Sequence, residues 1–192
     1  LTAKFTTSVD NYPVVFIHDA DVSVSNLVVD GAGRGNANYR FVGVGFRNAG
    51  GGVYNCEVKD IRDTPFSGTQ HGVAIYAYND DNVSRSLDVH GCNVHDFQKN
   101  AMALNASDTT PLAVDVDGNT VTGYGATTVT AQNGIQVWGD LCTGTVSGNA
   151  VSDIAYDNTS NPTKYVASSI LNYYGELDIT DNTVGGVAHV GV

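Results

Sequence analysis

Positive charge is what this chain has least of: 9 Lys and Arg stand against 20 Asp and Glu, a formal net charge of −11 over 192 residues. Such a chain repels nucleic-acid phosphates and anionic bilayers, which excludes both as general partners. Charged residues of both signs amount to only 15%, too few for the solvated faces of several amphipathic helices, and no segment repeats apolar residues at helical spacing. No apolar run approaches the roughly 20 residues that span a bilayer, which excludes membrane insertion by a helix. A charged-then-apolar export signal is also missing at Leu1, as expected if a leader or a longer parent chain has been removed. The cysteines, Cys56, Cys92 and Cys142, have no zinc-like spacing, and an odd number cannot all pair internally.

Glycine is plentiful, at 22 residues, and Asn, Asp, Ser and Thr are frequent. That composition suits many short strands joined by tight turns. The length suits one domain, residues 1–192, able to bury a core without metals or disulfides.

Self-similarity organises the chain. "VSNLVVDG", "YNCEVKDI", "HGCNVHDF", "DGNTVTGY", "SGNAVSDI" and "TDNTVGGV" align without gaps. The third residues form a column of Asn26, Cys56, Cys92, Asn119, Asn149 and Asn182. Two residues later stand Val28, Val58, Val94, Val121, Val151 and Val184; three residues earlier stand Val53, Val89, Val116, Val146 and Ile179, with Ser23 as the one exception. Ser25, Asn55, Gly91, Gly118, Gly148 and Asp181 precede the column, mostly types that accept a left-handed backbone at a sharp bend. Asp30, Asp60, Asp96 and Asp153 recur at the following corner as turn formers, with Gly123 and Gly186 in their place elsewhere. A further strand precedes each unit: "VVFIH", "VGVGF", "GVAIY", "AMALN", "GIQVW" and "SSILN".

Three short strands per roughly 30 residues, with no helices between them, predict an all-β parallel β-helix solenoid of about six coils. From about Tyr12 onward the chain resembles the right-handed parallel β-helix family that includes pectate lyases, alginate lyases, mannuronan epimerases, polygalacturonases and phage tailspikes. That resemblance implies right-handed coiling, a polysaccharide partner, and a location that is secreted or on a cell or particle surface.

Coils stacked about 4.8 Å apart place like positions over one another, so inward Asn side chains can form an amide ladder. In "DVDGNTVTG", Asn119 is then a rung, Gly118 the bend, and Asp115 and Asp117 face outward. Cys56 and Cys92 read as buried thiols in the same column.

A solenoid core is structural, so function falls to outward positions and loops. One outward position of the strand before each unit carries Arg47, Tyr76, Asn105, Trp138 and Tyr173, expected to stack into an exposed stripe along the axis. Flat aromatic faces with interspersed polar groups suit sugar rings, so these are the candidate substrate-binding residues for an extended, acidic or neutral glycan. The longest connections should wall this stripe, and they carry Arg34, Arg40, Arg62, Lys99 and Lys164. The lyase and epimerase relatives need a base near a sugar C5 proton and a cation for the uronate carboxylate, which makes Arg62, His71 and Lys99 the catalytic candidates. His71 stands in "QHG", similar to the polygalacturonase "GHG", but without that family's "NTD" and "RIK". Asp88, Asp115 and Asp117, beside His90, predict an acidic patch whose repulsion a Ca²⁺ ion would relieve, with no cofactor otherwise required. Three functions follow as expectations: a glycan-binding domain, a uronan lyase or epimerase fragment, or a structural spacer. "GGVAHVGV" starts another coil, so the chain is expected to be part of a longer solenoid or to make end-to-end or edge contacts with another chain.

Overall fold

In the computed structural model, which describes residues 1–157 and 165–186, each coil contributes one strand to each of three parallel sheets. The front sheet joins Asp10–His18, Phe41–Arg47, Val73–Asn79, Asn100–Ala106, Asn133–Trp138 and Ser168–Tyr173. A flank sheet joins Asp21–Ser25, Gly50–Tyr54, Arg85–His90, Leu112–Asp117, Cys142–Ser147 and Glu176–Thr180. The rear sheet joins Val28–Asp30, Glu57–Lys59, Asn93–His95, Thr120–Thr127, Ala150–Tyr156 and Thr183–Gly185. The chain is therefore a parallel β-solenoid of about six coils. Lys164 and residues 187–192, which include most of the expected unfinished coil, lie outside the described residues.

The register explains which side chains meet inside. Val29, Val58, Val94, Val121, Val151 and Val184 pair in sequence across the rear sheet. The first five are almost wholly buried, each worth roughly 1.5–3 kcal/mol relative to exposure. Val24, Val53, Val89, Val116, Val146 and Ile179 form the matching row of the flank sheet. This corrects the first repeat by one residue: Val29 and Val24, rather than Val28 and Ser23, occupy the two apolar rows. Val28 is instead exposed, and so is Leu27, which takes the column position in the first described coil. The shift also puts Asn26 at the sharp bend, so that Asn26, Asn55, Gly91, Gly118, Gly148 and Asp181 all have φ between 51° and 63°. Only residues that tolerate the left-handed region stand there.

The column itself is a run of hydrogen bonds. Asn119 Nδ2 donates to Asn149 Oδ1 at 2.9 Å and to the Val89 carbonyl at 2.8 Å, while its Oδ1 accepts from the Cys92 amide at 2.9 Å. Asn149 repeats the pattern with Asn182 Oδ1 and the Val116 carbonyl, both at 2.9 Å. Cys56 and Cys92 are free and buried, and their thiols donate to the carbonyls of Val24 at 3.6 Å and Val53 at 3.4 Å, continuing the side-chain-to-carbonyl contact with a weaker donor.

A short strand, Phe5–Thr6, precedes the first coil and pairs antiparallel with Asn11 and Asp10. It lays Phe5 on the outer surface of the front sheet, stacked on Phe16 at 5.4 Å and Tyr76 at 6.0 Å between ring centroids. No helix among the described residues is long and apolar enough to cross a membrane.

Candidate functional site

Three outward rows cross the front sheet. The row at the strand ends is His18, Arg47, Tyr78, Asn105, Trp138 and Tyr173. Tyr78 therefore holds the place expected for Tyr76. Tyr76 belongs to the adjacent row, between Gly45 and Ala103, under Phe5. The expected stripe contained both an exposed and a covered position, because Tyr76 and Tyr78 share one side of the same strand and only the inter-strand register separates them.

Each row member has a distinct environment. Arg47 lies over the Tyr78 ring at 5.2 Å and is held by both oxygens of Asp80, at 2.6 and 2.8 Å, so its charge is neutralised. The hydrogen-bonded guanidinium holds the Asp80 carboxyl below the usual carboxylate range. Trp138 is 44% and Tyr173 50% exposed, and their rings meet edge to face at 6.5 Å. Asn105, expected to be exposed, is only 6% accessible. Its amide lies near the Tyr76 hydroxyl and favours the ionised phenol, and its Oδ1 is buried with no partner among the described residues.

A cavity of about 540 Å³ covers this face, lined by Thr6, Thr7 and Ser8 of the N-terminal arm, Arg40 and Lys99 of the loops, and Tyr76, Tyr78, Asn105 and Trp138 of the sheet. Burial raises the Tyr76 hydroxyl above the ordinary phenol pKa, opposed by the nearby polar side chains of Thr7 and Asn105 and the charge of Arg40. On the floor, the Gln136 side-chain carbonyl accepts from Asn100 and Asn133, both at 3.0 Å.

The loops that position the cations are pinned from inside. Gln132 Nε2 donates to the Phe97 carbonyl at 2.7 Å, and the Lys99 amide donates to the Gly72 carbonyl at 2.9 Å. Lys99 Nζ donates to the Ala131 carbonyl, and burial lowers its pKa. Arg40 Nη2 reaches Ser8 Oγ at 3.5 Å while its Nε is buried without a partner among the described residues.

The three catalytic candidates do not converge. Lys99 faces the cavity. Arg62 instead pairs with Asp60 at 3.1 Å and Asp96 at 3.8 Å, at the corner that follows the rear sheet. His71 is 5% exposed behind Tyr39, whose ring meets it edge-on at 4.8 Å. Burial lowers the His71 pKa, the charge of Asp63 opposes this and Arg40 adds to it.

Asp88, Asp115 and Asp117 lie on the outer face of the flank sheet, with Asp88 paired to Asp115 and His90 to Asp117. Hydroxyls occupy their oxygens: Tyr54 donates to Asp88 at 3.0 Å, Thr145 to Asp115 at 2.6 Å and Ser147 to Asp117 at 3.2 Å. His90 stands between Asp115, at 3.4 Å, and Asp117, at 3.8 Å. Among the described residues no three His, Cys, Asp or Glu side chains converge on a metal position.

The residues that sequence reasoning missed are Tyr78, the arm Thr6–Ser8, Asn100 and Gln136. Tyr78 was legible as a second outward tyrosine of "VAIYAYN"; nothing local marks the arm.

Fold and site together define a parallel β-solenoid with an aromatic groove across one face. No family model, curated protein or solved structure matches the chain.

Proposed function

We propose that this protein binds an extended glycan in the front-sheet groove over the third to fifth coils. The observation that carries this reading is the pairing of exposed Trp138 and half-buried Tyr78 in one row of a cavity that also holds Arg40 and Lys99. Aromatic rings offer faces to the C–H surfaces of sugars, polar groups on the floor receive hydroxyls, and the cations favour an acidic residue. The solenoid architecture supports the resemblance to polysaccharide-acting β-helix proteins, and a polysaccharide ligand fits a protein that is secreted or displayed on a surface.

Trp138 is the sole tryptophan, so its fluorescence reads the groove directly. Acidic and neutral polysaccharides are titrated into the wild type, Tyr78→Ala and Arg34→Ala. Quenching by at least one polymer, weakened tenfold or more by Tyr78→Ala and unchanged by Arg34→Ala, supports the reading. No response from any polymer leaves the spacer function in its place.

Lys99 supports a second reading, a uronan lyase. Burial lowers the Lys99 pKa, which moves its amine toward the neutral form that abstracts a proton. Such an enzyme releases unsaturated uronates that absorb in the ultraviolet, and Lys99→Ala abolishes the signal. Absence of that absorbance with uronans that do bind removes the second reading and keeps the first.

A further inference from the structure

The groove has a narrow point. Tyr78 and Trp138 flank Asn105 on either side, so they are two strand spacings, about 10 Å, apart. Each ring is braced from behind, Tyr78 by the Arg47 guanidinium and Trp138 by Tyr173. Their facing sides bound a slot whose width suits one ring. Asn105 is its floor, 6% exposed, with an Oδ1 that is buried and has no partner among the described residues. Reaching that oxygen takes a rotation of the amide or of the rings above it, and a ligand O–H or N–H arriving there satisfies an acceptor whose burial is otherwise uncompensated.

The slot joins two cavities of opposite charge. The first, about 540 Å³, contains Arg40 and Lys99. The second, about 660 Å³, contains Asp108, Asp140 and Tyr174. They share Tyr78, Asp80 and Trp138, and Asp80 is neutralised by Arg47. Arg40, Lys99, Asp108 and Asp140 enter no ion pair among the described residues, so the potential changes sign from one side of the slot to the other. The path through it runs parallel to the strands, across the solenoid rather than along its axis.

Building on the glycan-binding reading, we propose that the chain threads this slot crosswise, with a neutral, donor-bearing sugar ring between Tyr78 and Trp138 and an anionic residue only on the Arg40 and Lys99 side. A carboxylate in the slot offers no proton to the unpartnered Asn105 Oδ1, and one beyond it would face Asp108 and Asp140. A polymer of uronates alone is therefore a poor ligand, and one that alternates acidic with N-acetylated or otherwise neutral residues is a good one.

The test compares three oligosaccharides of equal length by Trp138 quenching: one alternating uronate with N-acetylhexosamine, one of uronate alone and one neutral. The alternating oligomer is expected to bind about tenfold more tightly than the uronate oligomer. The double variant Asp108→Asn/Asp140→Asn should close most of that gap by improving the uronate oligomer, and Lys99→Gln should weaken the alternating oligomer and leave the neutral one unchanged. Equal or tighter binding of the uronate oligomer, indifferent to Asp108 and Asp140, overturns the slot proposal while the glycan-binding reading stands. Failure of all three to quench Trp138 overturns both.

Discussion

Replacing Asn119 by Ala removes a side chain that is 1% exposed and makes three hydrogen bonds. The Val89 carbonyl loses its donor at 2.8 Å, the Cys92 amide loses its acceptor at 2.9 Å, and Asn149 Oδ1 loses one of two donors, keeping the Asn119 amide at 3.0 Å. A buried polar group left unpaired costs about 1–3 kcal/mol. The Cys92 amide counts in full, and the two carbonyl-type acceptors in part. The expected loss is therefore about 3 kcal/mol, a fall of roughly 6–12 °C in Tm for a chain of this size. Urea unfolding followed by circular dichroism measures it, with Asp178→Ala, on the outer face of the flank sheet, as the control. Asn119→Cys should lose less than Asn119→Ala, because a thiol restores the contact to the carbonyl as Cys92 does with Val53 at 3.4 Å. A loss for Asn119→Ala no greater than that of the control would refute the reasoning, since the amides would then add nothing to the stacking of coils.

Cys56, Cys92 and Cys142 are free and buried, and burial pushes the Cys92 thiol up to about 11 and raises that of Cys142; all three should resist alkylation at pH 8 in the native protein through inaccessibility and should react in denaturant, whereas a single reactive thiol in denaturant would reveal a disulfide. The Asp81 carboxyl is held at about 2, chiefly by hydrogen bonds from Arg85 at 2.6 Å. Its folded pKa is depressed, so its contribution is present above about pH 4, the unfolded value, and is lost as pH falls toward 2. The Tm gap between wild type and Asp81→Asn should shrink over that window, and a gap independent of pH contradicts the ion pair. Phe5→Ala breaks the stacking on Phe16 and Tyr76 and should release the N-terminal arm at a cost of about 2 kcal/mol, measured as faster proteolysis within residues 1–9; unchanged cleavage contradicts the docked arm.

The repeat was legible because stacked coils demand the same chemistry at the same height: valine where the rear strands face the core, and Gly, Asn or Asp where the bend needs positive φ. The first coil breaks the alignment by one residue because its column position, Leu27, meets no preceding coil among the described residues and makes none of the polar contacts of Asn119. Asn26 has the residue type of the column but occupies the bend, and Ser23, which pairs with Gly52 outside the apolar row, marks the slip. Arg47, Trp138 and Tyr173 were placed in their common row by alternation. Alternation cannot choose between Tyr76 and Tyr78, which differ only in which neighbours the register supplies. The burial of Asn105 was not legible, since alternation gives a residue's side of the sheet and not the neighbours, Tyr78 and Trp138, that the register sets on either side of it. Nor was the pairing of Arg62 with Asp60 and Asp96, which depends on where a long loop turns back.

The most direct measurement is a crystal structure of the protein with an oligosaccharide that quenches Trp138. Density for a sugar ring between Tyr78 and Trp138, with the chain running parallel to the strands from the Lys99 side toward Asp140, is the predicted result. A chain lying along the solenoid axis, or bound to the flank or rear sheet away from these two rings, would contradict it.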